Sequence, residues 1–167
     1  MRIGIFADTH DHMDNIRLAV DYFNCAECEY VLFAGDLVST FVIPPLRKLK
    51  CPIIACFGDN EGNKPGIYAG FSIIGSIAEA PICLRLPDGT RILMSHMSRQ
   101  MLGMHGDYDL LIYGHTHKPL IKREESGRIQ INPGETSGWT YGRPTIAMLE
   151  TKTMSAEIVD LVVSAEC

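Results

Sequence analysis

The chain has 167 residues, 46% of them hydrophobic, enough for a single domain (1–167) with a sizeable core. Fifteen Lys and Arg against twenty Asp and Glu give a formal charge of −5 with no basic block, so nucleic acid is an unexpected partner. The longest uncharged stretch, Pro65 to Ala78, is broken by Gly66, Gly70, Ser72, Gly75 and Ser76 and falls short of the ~20 apolar residues a bilayer demands, so no membrane partner is expected.

Met1 leads straight into the apolar run Ile3, Ile5, Phe6 and Ala7 with no room for a secretory leader. A cytoplasmic protein is expected, with its six cysteines (Cys25, Cys28, Cys51, Cys56, Cys83, Cys167) free and mostly buried. Arg2 to Ala7 reads as a buried strand, and Asp14 to Asn24 as a helix with Ile16, Val20 and Phe23 on one face and Asp14 as its N-cap. Tyr30 to Ala34 is the next strand, Phe41 to Leu49 a second helix with Pro44 and Pro45 near its start, and Cys51 to Phe57 a third strand. This alternation is the α/β pattern of parallel strands with crossover helices, in which function gathers at the C-terminal strand ends. Asn63 to Gly75 is too Gly-rich to assign.

Shorter apolar runs follow at Pro81 to Leu86, Arg91 to Ser95, Asp109 to Tyr113, Leu120 to Glu124, Arg128 to Ile131, Thr145 to Glu150 and Ala156 to Leu161. Several should form antiparallel hairpins, with Pro87-Asp88-Gly89 and Ser126-Gly127 as turns. Ser98 to Met104 suits one short helix.

Metal-capable side chains fall at the strand ends: Asp8-Thr9-His10, Gly35-Asp36, Gly58-Asp59-Asn60-Glu61, Ser95-His96 and Gly114-His115-Thr116-His117. In an extended segment residues i and i+2 point the same way, so Asp8 with His10 and His115 with His117 should each aim two ligands into one cavity. Singly, an Asp after a strand is often a helix cap and an exposed His often does nothing. Five such segments, three of them preceded by glycine, point to a metal centre. Carboxylates mixed with imidazoles suit Mn²⁺, Fe, Ni²⁺ or Zn²⁺ better than Ca²⁺ or Mg²⁺.

In order, these segments resemble the pattern D-x-H, G-D, G-N-x-D/E, H and G-H-x-H of calcineurin-like metallophosphoesterases, in the small single-domain phosphodiesterase branch that includes the retromer scaffold subunit. Ile131-Asn132-Pro133-Gly134 also resembles a stretch near the site in that branch. The resemblance implies two facing mixed β-sheets flanked by helices. It also implies two divalent ions, Mn²⁺ first, with Ni²⁺, Zn²⁺ or Fe as alternatives. Asp8, His10, Asp36 and His117 would hold one ion, and Asp36, Asp59, His96 and His115 the other, with Asp36 as the bridge. Asp36, Asp59, Asn60 and His96 form the implied catalytic set. The implied reaction is hydrolysis of a small phosphodiester or nucleotide by a metal-bound hydroxide, since paired ions about 3.5–4 Å apart clamp both sides of an in-line displacement. The alternative is a non-catalytic interaction scaffold on the same fold, which would be free to lose ligands. The resemblance also makes a homo-oligomer an option.

Two positions depart from the family pattern: Asp59 stands where the family has Asn, and Asn60 where larger members carry a His that acts as general acid. A carboxylate keeps metal binding, but an amide cannot supply a proton at neutral pH. Other residues have two readings each. His12 contacts phosphate or caps a helix; Arg99 and Arg143 neutralise phosphate or lie on the surface. Trp139 and Tyr141 line a substrate base, form an oligomer contact or pack in the core or on the surface. Cys25-Ala26-Glu27-Cys28 has a redox or zinc spacing but ends a helix and lacks a second pair.

Overall fold

A computed structural model describes residues 1–161. Its first half builds β1 (Arg2–Phe6), α1 (Met13–Cys25), β2 (Tyr30–Ala34), α2 (Ile43–Leu46), β3 (Ile53–Cys56), α3 (Lys64–Ile74) and β4 (Gly75–Ala78). The second half adds β5 (Ile82–Arg85), β6 (Arg91–Met94), β7 (Leu110–Ile112), β8 (Leu120–Arg123), β9 (Ile129–Asn132), β10 (Thr145–Glu150) and β11 (Ser155–Asp160). The strands form two mixed sheets, one of six ordered β11-β10-β1-β2-β3-β4 and one of five ordered β5-β6-β7-β9-β8.

The pleat decides which residues face which layer. On β1 and β2, Ile3, Ile5, Leu32 and Ala34 point toward the second sheet and meet Ile92, Met94, Leu110, Ile112 and Ile131. Phe6, Val31 and Phe33 point the other way, against Ile16, Ala19, Val20 and Phe23 of α1. Phe6 meets Phe23 and Phe33 edge-on, with ring centroids 5.6 and 4.6 Å apart. β1 to β4 run parallel, as do β6, β7 and β9, so their C-terminal ends collect on one rim.

Three hairpins form as expected, β5–β6, β8–β9 and β10–β11. Other expectations need correction. The Asp14 to Asn24 helix starts earlier and is capped by His12, whose Nδ1 accepts from Asn15 N at 3.3 Å, while Asp14 pairs with Arg17 at 2.7 Å. The expected helix from Phe41 to Leu49 is a 3₁₀ turn (Thr40–Val42) followed by one α-turn carrying Pro44 and Pro45 in its opening residues. Ser98–Met101 is likewise 3₁₀. The unassigned Gly-rich segment is α3, capped by Asn63, and Gly70 lets it lie against Ile43, whose Cγ1 would be 2.6 Å from an added Cβ. Free thiols are found at Cys28, Cys51, Cys56 and Cys83, with Cys83 exposed; Cys25 is not one of them, and Cys167 lies outside the described residues. No helix among the described residues is long and apolar enough to cross a membrane.

Candidate metal centre

All seven expected ligands meet on the shared rim. The ligand atoms of Asp8, His10 and His117 lie within 4.8 Å of one another, as do those of Asp59, His96 and His115, and those of Asp8, Asp36 and His96. Asp36 stands between the first two groups, its Oδ2 being 3.5 Å from His10 Nε2 and 3.4 Å from His96 Nε2. The carboxylates Asp8, Asp36 and Asp59 follow strands of the six-stranded sheet. His96, His115 and His117 follow strands of the five-stranded one.

The convergence arises differently from the expected pleat alternation. Asp8, His10, Asp36, His115 and His117 have φ of 52°, 39°, 68°, 65° and 60°, so the chain coils left-handed past each strand end instead of staying extended. That backbone costs ~1–2 kcal/mol for each non-Gly residue and must be held by its surroundings. Hydrogen bonds do so: Asp8 N donates to Gly35 O at 3.0 Å, and Thr9 N and His10 N to Asp36 O at 3.0 and 3.1 Å. His115 N donates to the Asp8 carboxylate at 3.0 Å. The glycines before three segments have a steric cause. An added Cβ on Gly35 would lie 2.5 Å from His96 Nδ1, one on Gly114 2.7 Å from Asp8 Oδ2, and one on Gly58 would collide with the Asp36 carboxylate.

Around the ligands a polar frame fixes orientation. His96 is 1% exposed; its Nδ1 lies 2.8 Å from Ala34 O, which can only accept, so in the neutral ring Nε2 carries the lone pair. That Nε2 is the buried side-chain polar atom without a hydrogen-bond partner among the described residues, although it stands 2.9 Å from Asp59 Oδ1 at ion-pair distance. His117 Nδ1 lies 2.8 Å from Glu135 Oε2, which turns the His117 Nε2 lone pair toward His10 Nε2 at 3.3 Å. Two imidazole nitrogens this close, beside carboxylates, call for a proton or cation between them, and the set of hard oxygen and borderline nitrogen donors fits divalent metal.

Charge in the metal-free cluster follows from burial and neighbours. Burial lifts the Asp8 carboxyl to about 7, with partial relief from His96 and His117. Burial alone would also raise Asp36, but His96 and the Asn60 hydrogen bonds outweigh it and hold Asp36 below the ordinary carboxylate range. For His96 burial pulls down, yet the Asp36 and Asp8 carboxylates prevail and lift it to about 9. Burial depresses His10.

Asn60 serves Asp36: its side-chain amide donates to Asp36 Oδ2 at 2.7 Å, while Asn60 N and Asp59 N donate to Oδ1 at 3.1 and 3.0 Å. Glu61 binds the backbone N–H groups of Asp36, Leu37 and Gly58. Asn132 ties the His115–His117 loop through Gly114 O and the Thr116 hydroxyl, both at 2.9 Å. Glu135, fully buried, was missed by sequence reasoning; it accepts from Thr140 N at 2.9 Å and Tyr141 N at 2.6 Å as well as holding His117. A lone acid in a loop has no periodic signal, and only its place after Asn132-Pro133-Gly134 pointed to it. Arg143 is committed to Asp160 through two hydrogen bonds, and Arg99 lines a cavity on the outer face of the second sheet with Leu93 and Met101.

A family model described as the calcineurin-like phosphoesterase superfamily domain matches residues 1–154. The chain is 38% identical over 158 residues to phosphodiesterase MJ0936 of Methanocaldococcus jannaschii, covering 91% of this chain and 94% of that protein. The solved structure of an archaeal phosphodiesterase superposes with a TM-score of 0.89 at 36% identity, covering 96% of this chain and 100% of the other. Vps29 of Entamoeba histolytica, with a TM-score of 0.66 at 20% identity over 97% of this chain and 100% of its own, shares the fold. The match over residues 1–154 and the likeness to the archaeal proteins agree with the order of motifs from Asp8 to His117, and the chain belongs to the calcineurin-like phosphoesterase superfamily.

Proposed function

We propose that residues 1–167 form one metallophosphoesterase domain, a cytoplasmic dinuclear phosphodiesterase acting on a small phosphodiester. The observation that carries this reading is Asp36 Oδ2, set 3.5 and 3.4 Å from imidazoles of two separate ligand groups. Asp8, His10, Asp36 and His117 would hold one ion, and Asp36, Asp59, His96 and His115 the other, with Mn²⁺ the first expectation and Ni²⁺, Zn²⁺ or Fe as alternatives. When bound, such a pair supplies Lewis acidity toward phosphoryl oxygens and lowers the pKa of water.

The protein's own contribution is positioning. Asn60 and two backbone N–H groups orient the Asp36 carboxylate, Ala34 O fixes the His96 ring, and Glu135 fixes that of His117. Buried Asp8 and His96 form the floor, while Asp59 and His115 are exposed toward the side from which a substrate arrives. Asn60 can donate a hydrogen bond but no proton, so diesters with acidic leaving groups should react fastest. A scaffold role, suggested by the likeness to Vps29, has less support, since a ligating side chain is present at all seven positions.

The test is hydrolysis of a bis-nitrophenyl diester and the matching monoester by metal-stripped protein, alone and with Mn²⁺, Ni²⁺ or Zn²⁺. Metal-dependent turnover favouring the diester is expected, because the monoester's added charge faces Asp8, Asp36 and Asp59. Full activity without metal, or none with any metal, would refute the reading.

A further inference from the structure

Trp139 and Tyr141 lie between β9 and β10 and are 65% and 53% exposed, so they are not part of the core. Both are nevertheless firmly mounted. The indole Nε1 donates to His10 O at 3.4 Å, and the ring rests against His12 with centroids 4.6 Å apart. Tyr141 N is bound by Glu135, and the Thr140 hydroxyl lies 2.9 Å from His117 Nδ1. Gly138 and Gly142, with φ of 69° and 68°, take the left-handed turns that bracket this short stretch. Next to His117, the Lys118 ammonium lies 5.4 Å from the centre of the Tyr141 ring.

Two flat rings and one cation are thus fastened to the residues that carry two of the metal-capable imidazoles. A group already held in place loses little freedom when something stacks on it. Asp59, Asn60, His115 and Thr116 elsewhere on the site are exposed and polar, and two aromatic side chains offer at most about 150–250 Å² each, well short of the roughly 800 Å² per partner of a stable protein interface. What suits two rings and a lysine beside a phosphoryl site is a flat heteroaromatic group esterified to phosphate. We propose that Trp139 and Tyr141 are a stacking platform for the nucleobase of a nucleotide-type phosphodiester, with Lys118 offsetting the charge of its phosphate. The proposal rests on the phosphodiesterase reading and names the substrate class for that same site.

Trp139 is the chain's one tryptophan, so intrinsic tryptophan fluorescence reports this loop alone. Zn²⁺-loaded protein is titrated with thymidine 5′-monophosphate and with deoxyribose 5-phosphate, which has the same charge and no base. Saturable quenching by the nucleotide only is expected; equal responses, or none, would overturn the platform. A kinetic arm compares thymidine 5′-(p-nitrophenyl phosphate) with methyl p-nitrophenyl phosphate, which share a leaving group. The kcat/KM ratio should favour the nucleoside ester by about tenfold or more, as stacking of one base implies. Trp139→Leu should bring the ratio near one, and Trp139→Phe should keep most of it. Hydrolysis of both esters with no preference in the unsubstituted protein, or a ratio untouched by Trp139→Leu, refutes the platform and leaves the phosphodiesterase reading standing. Hydrolysis of neither ester with any metal refutes the phosphodiesterase reading itself, a failure distinct from the first.

Discussion

Replacing Glu135 by Gln tests whether the carboxylate behind His117 sets the ring's tautomer. Glu135 is fully buried and ionised: burial would raise its pKa, but the Thr140 and Tyr141 N–H groups and His117 more than compensate. Its Oε2 takes the His117 Nδ1 proton at 2.8 Å, and its Oε1 takes Tyr141 N at 2.6 Å and Thr140 N at 3.2 Å. A glutamine can place its carbonyl oxygen at the Oε1 position, where it still serves Tyr141 N and keeps the longer contact to Thr140 N but loses the 2.9 Å one that Oε2 accepts. Its NH₂ then faces His117 Nδ1, which must become the acceptor, and the ring proton moves to Nε2, where it blocks the ligand position. Loss of a partner behind a metal-ligating imidazole typically lowers affinity 10- to 100-fold, which is about 1.4–2.7 kcal/mol. The two backbone hydrogen bonds, now to a neutral acceptor, weaken by about 1 kcal/mol each, which for a domain of this size lowers Tm by about 4–8 °C. Calorimetric titration of Mn²⁺ into metal-stripped protein should show one ion weakened 10- to 100-fold and the other nearly unchanged. Two ions bound as in the unsubstituted protein, in a folded variant, would refute the tautomer argument. An equal loss at both would mean that Glu135 acts through the loop as a whole.

Asp36→Asn should be the most damaging conservative change, because one negative charge is removed from the position shared by both ligand groups; mass spectrometry should find one ion or none, and two ions with a near-normal rate would disprove the bridge. Asp59→Asn should weaken the second ion yet raise the rate at saturating metal by about three- to tenfold, roughly 1 kcal/mol of barrier, since a neutral ligand leaves a stronger Lewis acid. Metal titrations that follow diester hydrolysis separate the two effects, and unchanged affinity would exclude Asp59 as a ligand. In chelator, stability should fall as pH rises. Asp8, raised from 3.8 to about 7, and His96, raised from 6.5 to about 9, each contribute fully below the lower value and nothing above the upper one. His10, shifted down, opposes this only below its ordinary 6.5. Melting temperatures should fall between pH 7 and 9, with His96 contributing across the interval and the thiols Cys28, Cys51 and Cys56, whose pKa values burial raises, adding in the same direction near its upper end; Mn²⁺ affinity should rise over the same interval, and a flat or rising Tm would contradict the assignment.

β1, β2 and β3 were legible because each carries an apolar run that stops at Asp or Gly, and two of the hairpins because Pro87-Asp88-Gly89 and Ser126-Gly127 leave few alternatives. α3 was illegible for a packing reason: Gly66 and Gly70 read as helix breakers, yet they make room for the Asn63 side chain and Ile43. β4 turns only Ile77 into the core, too little for a pattern. The ligands could be read one by one because their residue types are rare at strand ends. Their geometry could not, since the left-handed turns at Asp8, His10, Asp36, His115 and His117 are imposed by hydrogen bonds between segments far apart in the chain. Glu135 and the commitment of Arg143 to Asp160 are tertiary facts of the same kind.

The division of the ligands between the sheets has a mechanical consequence. Carboxylates stand on the rim of one sheet and, His10 apart, imidazoles on the rim of the other, so an ion held by both is a rivet through the open end of the sandwich. The apolar faces that meet between the sheets resist separation but give little direction against sliding; the His96–Ala34 and His115–Asp8 hydrogen bonds already tie the rims, and coordination bonds from both rims would add to them. With such ions bound, shear of one sheet over the other would pull ligands off the metal, and metal occupancy would become a gauge of how well the two layers are aligned. Because bound ligand adds to stability as RT ln(1 + [L]/Kd), each tenfold rise in free metal above Kd adds about 1.4 kcal/mol against that motion.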